Sequence, residues 1–147
     1  MDAPEEIVND GPDNACFGCS PHNASGLKMT FFKLAPGRVE SRCTVAPEHC
    51  GAPGVVHGGI QATLLDEAMG MAIQTGSEEE VYVVTAEFKL RYRRPVPGGE
   101  PLVVRGELRR REGRDAWVEG AIVGADGERL TVAEARWRQV DPPEDAA

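Results

Sequence analysis

The residues of this chain best suited to chemistry lie in one stretch, GAPGVVHGGIQATLLDEAMGMAIQ, from Gly51 to Gln74. A glycine-rich loop carries His57, Gly58 and Gly59 into a helical pattern. A helix that starts on glycines offers bare backbone N–H groups to an oxyanion or anion. One face of that helix is apolar yet carries Asp66. A carboxylate in such surroundings is paired, exposed or functional. Its helical neighbours, Ala62, Thr63, Met69 and Gly70, are small or apolar, so desolvation should raise its pKa and make it a better proton acceptor near neutral pH. Donors for a developing negative charge, together with a base or nucleophile, suit acyl chemistry.

Each of these residues also has a plainer reading. Gly58 and Gly59 can serve a tight turn and a close helix–sheet approach. Asp66 can bond a buried backbone group or a partner arginine. Glu67 competes with it, about 100° further around the helix, toward Leu64 and Met71, and local pattern does not separate the two. His57 can act as a base or simply bond a nearby carbonyl. Cys16 and Cys19 form a C-x-x-C pair with His22 shortly after. That is half of a structural zinc site, which His49 and Cys50 would have to complete from a distant loop. We read these thiols as structural and assign no metal.

The elements that must position these residues can be read along the chain. Residues 1–15 form an acidic arm, 16–140 a single domain, and 141–147 a tail. Cys16 to Leu27 is rich in turn formers. LKMTFFKL and GRVESRCTVA read as two strands joined at Pro36-Gly37. From about Gly59 to Thr75, Ile60, Leu64, Ala68 and Met71, widened by Leu65, Met69, Ala72 and Ile73, recur at helical spacing. Charge is scarce in this helix, which predicts a central, buried element ended by Gly76. Four strand-like segments follow, and VYVVTAEFKLRYRR alternates with Tyr82, Val84, Ala86, Phe88, Leu90 and Tyr92 on one face. The other face carries Thr85, Glu87, Lys89, Arg91 and Arg93. The expected order is two strands, one long helix, then an antiparallel meander of four.

Composition narrows the classes of partner. A chain of 147 residues buries roughly two thirds of its unfolded surface and needs no disulfide or metal to fold. A formal net charge of −8 argues against nucleic acid or an anionic membrane as main partner. Yet 12 of the 16 basic residues lie from Lys89 onward, which leaves room for a local patch that meets phosphate. MDAPEEIVND lacks the basic and apolar regions of a secretory signal, no apolar run approaches a membrane span, and four cysteines fit a reducing compartment. The expected location is cytoplasmic.

An α+β fold with a long central helix wrapped by a curved antiparallel β-sheet is the hotdog fold, and here the sequence resembles a known family. HGG followed by a helix with Asp nine residues after the His is similar to the PaaI-like branch of the hotdog acyl-CoA thioesterases. CFGC…N.SGLK upstream and VTAEFKLRYRRPVP downstream extend the likeness over Cys16 to Gln139. The resemblance implies an acyl-CoA substrate and no cofactor. It assigns the Gly58 amide as oxyanion donor and Asp66 as general base or nucleophile, with Thr85 helping to position water and His57 structural; we expect His57, Gly59 and Thr85 to border the substrate. It gives the cysteines no metal role. Arg91, Arg93, Arg94 and Arg109 to Arg111 become candidates for the coenzyme A phosphates, and Met29, Phe31, Phe32, Met69 and Met71 for an acyl pocket.

Asp66 lies eight residues beyond Gly58, roughly 12 Å along the helix, too far for one thioester carbonyl to touch both. A homodimer with antiparallel helices, possibly paired again into a tetramer, would bring Gly58 of one chain to Asp66 of the other. The region EHCGAPGVVHGG lacks an Asn that some PaaI-like enzymes carry. That departure keeps open a second class, a non-catalytic protein binding acyl-CoA or a small hydrophobe. A hotdog hydratase fits less well, because no Asp–His pair follows His57.

Overall fold

The computed structural model describes residues 3–144, so the first two residues of the acidic arm and the last three of the tail lie outside the described residues. The strands are β1 (Glu5–Ile7), β2 (Phe31–Ala35), β3 (Arg38–Cys43), β4 (Val83–Tyr92), β5 (Leu102–Glu112), β6 (Asp115–Val123) and β7 (Arg129–Gln139). One helix, α1 (Gly58–Thr75), lies between β3 and β4 in sequence. The strands form one antiparallel sheet in the order β1-β2-β3-β5-β6-β7-β4. The long helix and antiparallel sheet expected from the sequence are both present.

Three features differ from the sequence expectation. Strand β1 pairs with β2 at Glu5↔Lys33 and Ile7↔Phe31, so part of the acidic arm joins the sheet. Three residues with two exposed glutamates carry too little alternation to announce a strand. The last four strands are not one meander either. β5, β6 and β7 are, but β4 lies at the far edge against β7, while β5 pairs with β3. The connection from β4 to β5 returns across the loop before α1, where Val56 N–H donates to the Val96 carbonyl at 2.8 Å and Val55 bridges Pro97.

The third difference concerns which side of β4 faces the helix. The β4–β7 register slips between Thr85 and Glu87. A bulge inserts one residue and flips the alternation beyond it. Val83 packs on the core and Thr85 bonds a helix side chain, while beyond the bulge Phe88, Leu90 and Tyr92 take the inner side. Their partners across the ladder, Trp137, Ala135, Ala133 and Thr131, are inner residues too. Glu87 and Lys89 point outward to Arg136 and Glu134. Thr85 therefore faces the helix, contrary to simple alternation.

Helix α1 buries Leu64, Leu65, Ala68, Met69, Ala72 and Ile73 against Phe31, Val39, Val104, Val118 and Ile122. The stripe is rotated slightly from the expected one, because Gln61 is buried and Ile60 and Met71 are only partly covered. Gly76 stops the helix without a left-handed turn (φ −84°). A Cβ there would sit 2.8 Å from Leu108 Cδ2, so it is close packing that excludes one. The helix crosses the sheet most closely at Gly106, where a Cβ would collide with the Ala68 carbonyl. Gly106→Ala should therefore cost about 3 kcal/mol of stability, read as a lowered urea midpoint at unchanged slope.

Candidate active site

The start of α1 is built by His57. Its backbone is extended (φ −55°, ψ 137°), and its side chain caps the helix by accepting the Gly59 N–H on Nδ1 at 2.9 Å. An accepting Nδ1 carries no proton, so the neutral ring has its proton on Nε2. A Cβ on Gly59 would lie 3.2 Å from that ring, so glycine keeps the cap in place. The Gly58 carbonyl is held from the other side, where Tyr92 Oη donates to it at 2.9 Å. The peptide joining Gly58 to Gly59 is thus fixed through both its polar groups. The Gly58 N–H belongs to the preceding peptide and meets no acceptor among the described residues.

Gln61 supports this turn from below. It is 4% exposed, donates through Nε2 to the Val56 carbonyl at 2.9 Å and accepts from Thr131 Oγ1 at 2.6 Å. A buried amide with both ends satisfied ties the loop before α1 to strand β7. An open cleft of about 440 Å³ begins here, lined by His57, Gly58, Tyr92, Arg93 and Arg94 among others.

Asp66 lies two turns further along, half-buried, where its carboxylate accepts from Thr85 Oγ1 at 2.7 Å. Burial pushes its pKa above the ordinary carboxylate value, and the Thr85 hydroxyl pulls it part of the way back. The hydroxyl also fixes which oxygen of the carboxylate stays free. For a reaction that uses Asp66, Thr85→Val should lower turnover about tenfold, the loss of one hydrogen bond to a charged group, while Thr85→Ser should restore most of it. Steady-state kinetics on the two variants tests this.

Glu67 is engaged elsewhere. It is covered by the loop from Cys16 to Cys19 and accepts from Cys16 Sγ at 3.2 Å. Burial is the main cause raising its pKa. The geometry thus separates the two neighbouring carboxylates, one toward Thr85 on edge strand β4 and one under the N-terminal loop. His22, His49 and Cys50 do not join the two cysteines. His22 Nε2 bonds the Asp10 carbonyl at 2.8 Å, and Cys50 Sγ lies 3.7 Å from the Ala46 carbonyl.

The arginines divide in the same way. Arg109 pairs with Glu119 and Glu107, Arg110 stacks 3.9 Å over Trp117, and Arg111 donates to the Ile73 carbonyl. Arg93 and Arg94 stand at the cleft, Arg94 paired with Glu128 at 3.0 Å. Of the apolar candidates for an acyl pocket, Met29, Phe31 and Met69 are fully buried core. Tyr92 and Gln61 were not singled out by sequence reasoning. Tyr92 lies in VTAEFKLRYRRPVP on the apolar face read from alternation, but nothing local shows that its hydroxyl reaches the Gly58 carbonyl.

A free helix-start amide, a half-buried carboxylate on the same helix and an open cleft between strand edge and loop are groups that can serve acyl transfer. The family model of the thioesterase superfamily matches residues 53–131, and the chain belongs to that superfamily. Over 93 residues it is 37% identical to acyl-coenzyme A thioesterase THEM4 of Rattus norvegicus, covering 63% of this chain and 39% of that protein. Over 77 residues it is 35% identical to acyl-coenzyme A thioesterase 13 of Homo sapiens, covering 52% of this chain and 54% of that one. The chain thus spans between about two fifths and half the length of these relatives. A solved thioesterase superfamily protein superposes with TM-score 0.73 at 35% identity, over 80% of this chain and 57% of that one. The E. coli PaaI protein from the phenylacetic acid degradation operon shares the fold, with TM-score 0.71 at 16% identity over 78% of this chain and 81% of its own.

Proposed function

We propose that this protein hydrolyses acyl-CoA thioesters, with the Gly58 amide of one protomer and Asp66 of another acting on one carbonyl. The observation that carries the reading is the Gly58 N–H, left without an acceptor among the described residues while the next peptide is clamped by His57 and Tyr92. It stabilises the oxyanion as the thioester carbonyl becomes tetrahedral. Asp66 takes a proton from water, or attacks the carbonyl directly and forms an anhydride that water then opens. The thiol of coenzyme A leaves and the acid follows. His57, Gly59 and Thr85 border the substrate, with His57 in its capping role, and Arg93 and Arg94 stand where the cleft could receive the phosphates. The related proteins are named acyl-coenzyme A thioesterases, which supports this substrate class.

Strand β4 supports the homodimer. Among the described residues its only neighbour is β7, so its outer edge is unpaired over ten residues. Tyr82, Val84 and Tyr92 are exposed on and beside it. A bare edge of that length invites another strand. The inner residues of β4 hold the two halves of the site, Thr85 at Asp66 and Tyr92 at Gly58. Antiparallel pairing of two β4 strands centred near Phe88 and Lys89 would set Thr85 of one chain opposite Tyr92 of the other, and would bring each Asp66 toward the other chain's Gly58. No helix among the described residues is long and apolar enough to cross a membrane. All four cysteines are free, which supports a reducing, cytoplasmic setting.

The test is thiol release from a panel of short-chain, long-chain and aryl acyl-CoA esters, followed by chromatography so that the protein's own thiols do not interfere. Release from at least one ester is expected, and the panel identifies the acyl class. Binding of acyl-CoA without any release would instead support the non-catalytic reading, which the absent Asn near His57 favours.

A further inference from the structure

The N-terminal loop does something the thioesterase reading does not use. Cys16 Sγ, Cys19 Sγ and a Glu67 carboxylate oxygen lie within 4.8 Å of one another. Cys19 is buried, and Cys16 and Glu67 are half-buried. The loop is shaped around this cluster. The Cys19 N–H points back at Cys16 Sγ at 3.4 Å. Gly18 lies against the Glu67 side chain so tightly that a Cβ would collide with Glu67 Cγ. Ser20 N–H closes the turn on the Cys16 carbonyl at 3.1 Å, and Leu27 and Met29 N–H groups close the far side on Phe17 and Gly18.

We propose that Cys16, Cys19 and Glu67 bind a zinc-type divalent cation, with solvent in the fourth position, clasping the N-terminal loop to the middle of α1. Two thiolates and a carboxylate match a borderline-soft ion that prefers four ligands. Tetrahedral zinc holds ligand atoms about 3.5–3.8 Å apart. The Cys16–Glu67 separation of 3.2 Å is close to that already, so side-chain adjustment alone brings the three ligands onto an ion. The C-x-x-C spacing puts two donors on one turn, and the fold supplies the third from a residue 48 positions after Cys19. The sequence does not display that third ligand: His22 and Cys50 are bonded elsewhere, and His49 lies outside the cluster. The ion's role is to fix the loop onto the helix one residue from Asp66.

The experiment uses the full chain, purified without chelator or metal-affinity resin. Elemental analysis should find about one zinc per chain, lost in Cys19→Ser and Glu67→Gln and kept in Cys43→Ser, whose thiol lies outside the cluster. Wild-type protein stripped and reloaded with Co²⁺ alone should show sulfur-to-cobalt charge transfer in the near ultraviolet and intense tetrahedral bands in the visible. Both should be absent in Cys19→Ser. Stripping should also lower the wild-type melting temperature, and Zn²⁺ should restore it. A wild-type protein that holds no metal and gives no thiolate–cobalt spectrum after full reduction overturns the proposal. So does a cobalt spectrum that survives in Cys19→Ser. Because the spectrum needs no turnover, the result is independent of thioesterase activity.

Discussion

Asp66→Asn should leave the protein folded and able to bind acyl-CoA while its turnover falls between about a hundredfold and ten-thousandfold, the range supplied by a positioned base. The reason is local. Asparagine fills the same volume and can still accept from Thr85 Oγ1, which now bonds Asp66 at 2.7 Å. It cannot take a proton from water, and it cannot attack a carbonyl. The loss should appear in kcat, with KM changed no more than a few-fold, since Asp66 acts on the reacting atoms and not on the coenzyme. Glu67→Gln is the matching comparison. Its carboxylate faces Cys16 on the other side of the helix, so any loss there acts through the Cys16–Cys19 loop and should be far smaller than in Asp66→Asn. An Asp66→Asn enzyme as active as wild type would remove Asp66 from the mechanism, and equal loss in the two variants would point to a structural effect on α1.

Those two carboxylates also mark how far the sequence could be read. The long helix, its glycine start and most strands were legible because apolar spacing is a local property. Choosing Asp66 over Glu67 was not possible from local pattern, and only the family spacing selected it. The fold separates them because β4 passes one flank of α1 and the Cys16–Cys19 loop passes the other, two contacts made by segments far apart in sequence. Thr85 was misplaced for a related reason. One bulge residue reversed the phase of β4, and its only trace is a register slip against β7, a strand more than 40 residues later. Tyr92 stood on the expected apolar face, but its bond to the Gly58 carbonyl joins segments 34 residues apart and has no local sign. Gln61 looked like an ordinary polar helix residue, since its partners Val56 and Thr131 come together only in the folded chain. The position of β4 at the sheet edge was equally invisible, because a pattern of four successive strands does not say which neighbours pair. That edge is what makes a shared site geometrically reasonable.

Gly58→Pro tests the other half of the site in a way that alanine cannot. Alanine keeps the backbone N–H, whereas proline deletes it. Proline is well tolerated at the first position of a helix, where the lost N–H has no helical partner. The residue before it must be extended, and His57 already is, at φ −55° and ψ 137°. A Cβ at position 58 would meet Tyr92 Oη at 3.4 Å, an ordinary contact. The variant should therefore keep the fold and lose about a hundredfold to a thousandfold in kcat, the usual effect of removing one oxyanion donor. An unchanged kcat would show that the carbonyl is held elsewhere. Mixing this variant with Asp66→Asn, after partial unfolding and refolding together, then asks where the two halves meet. In a shared site each mixed dimer carries one intact pair, Gly58 from one chain and Asp66 from the other, and one site broken twice. Random reassociation makes half of the dimers mixed, so activity should recover to about a quarter of wild type. If each site were built within one chain, every site in the mixture would lack one of its two groups, and no activity would return.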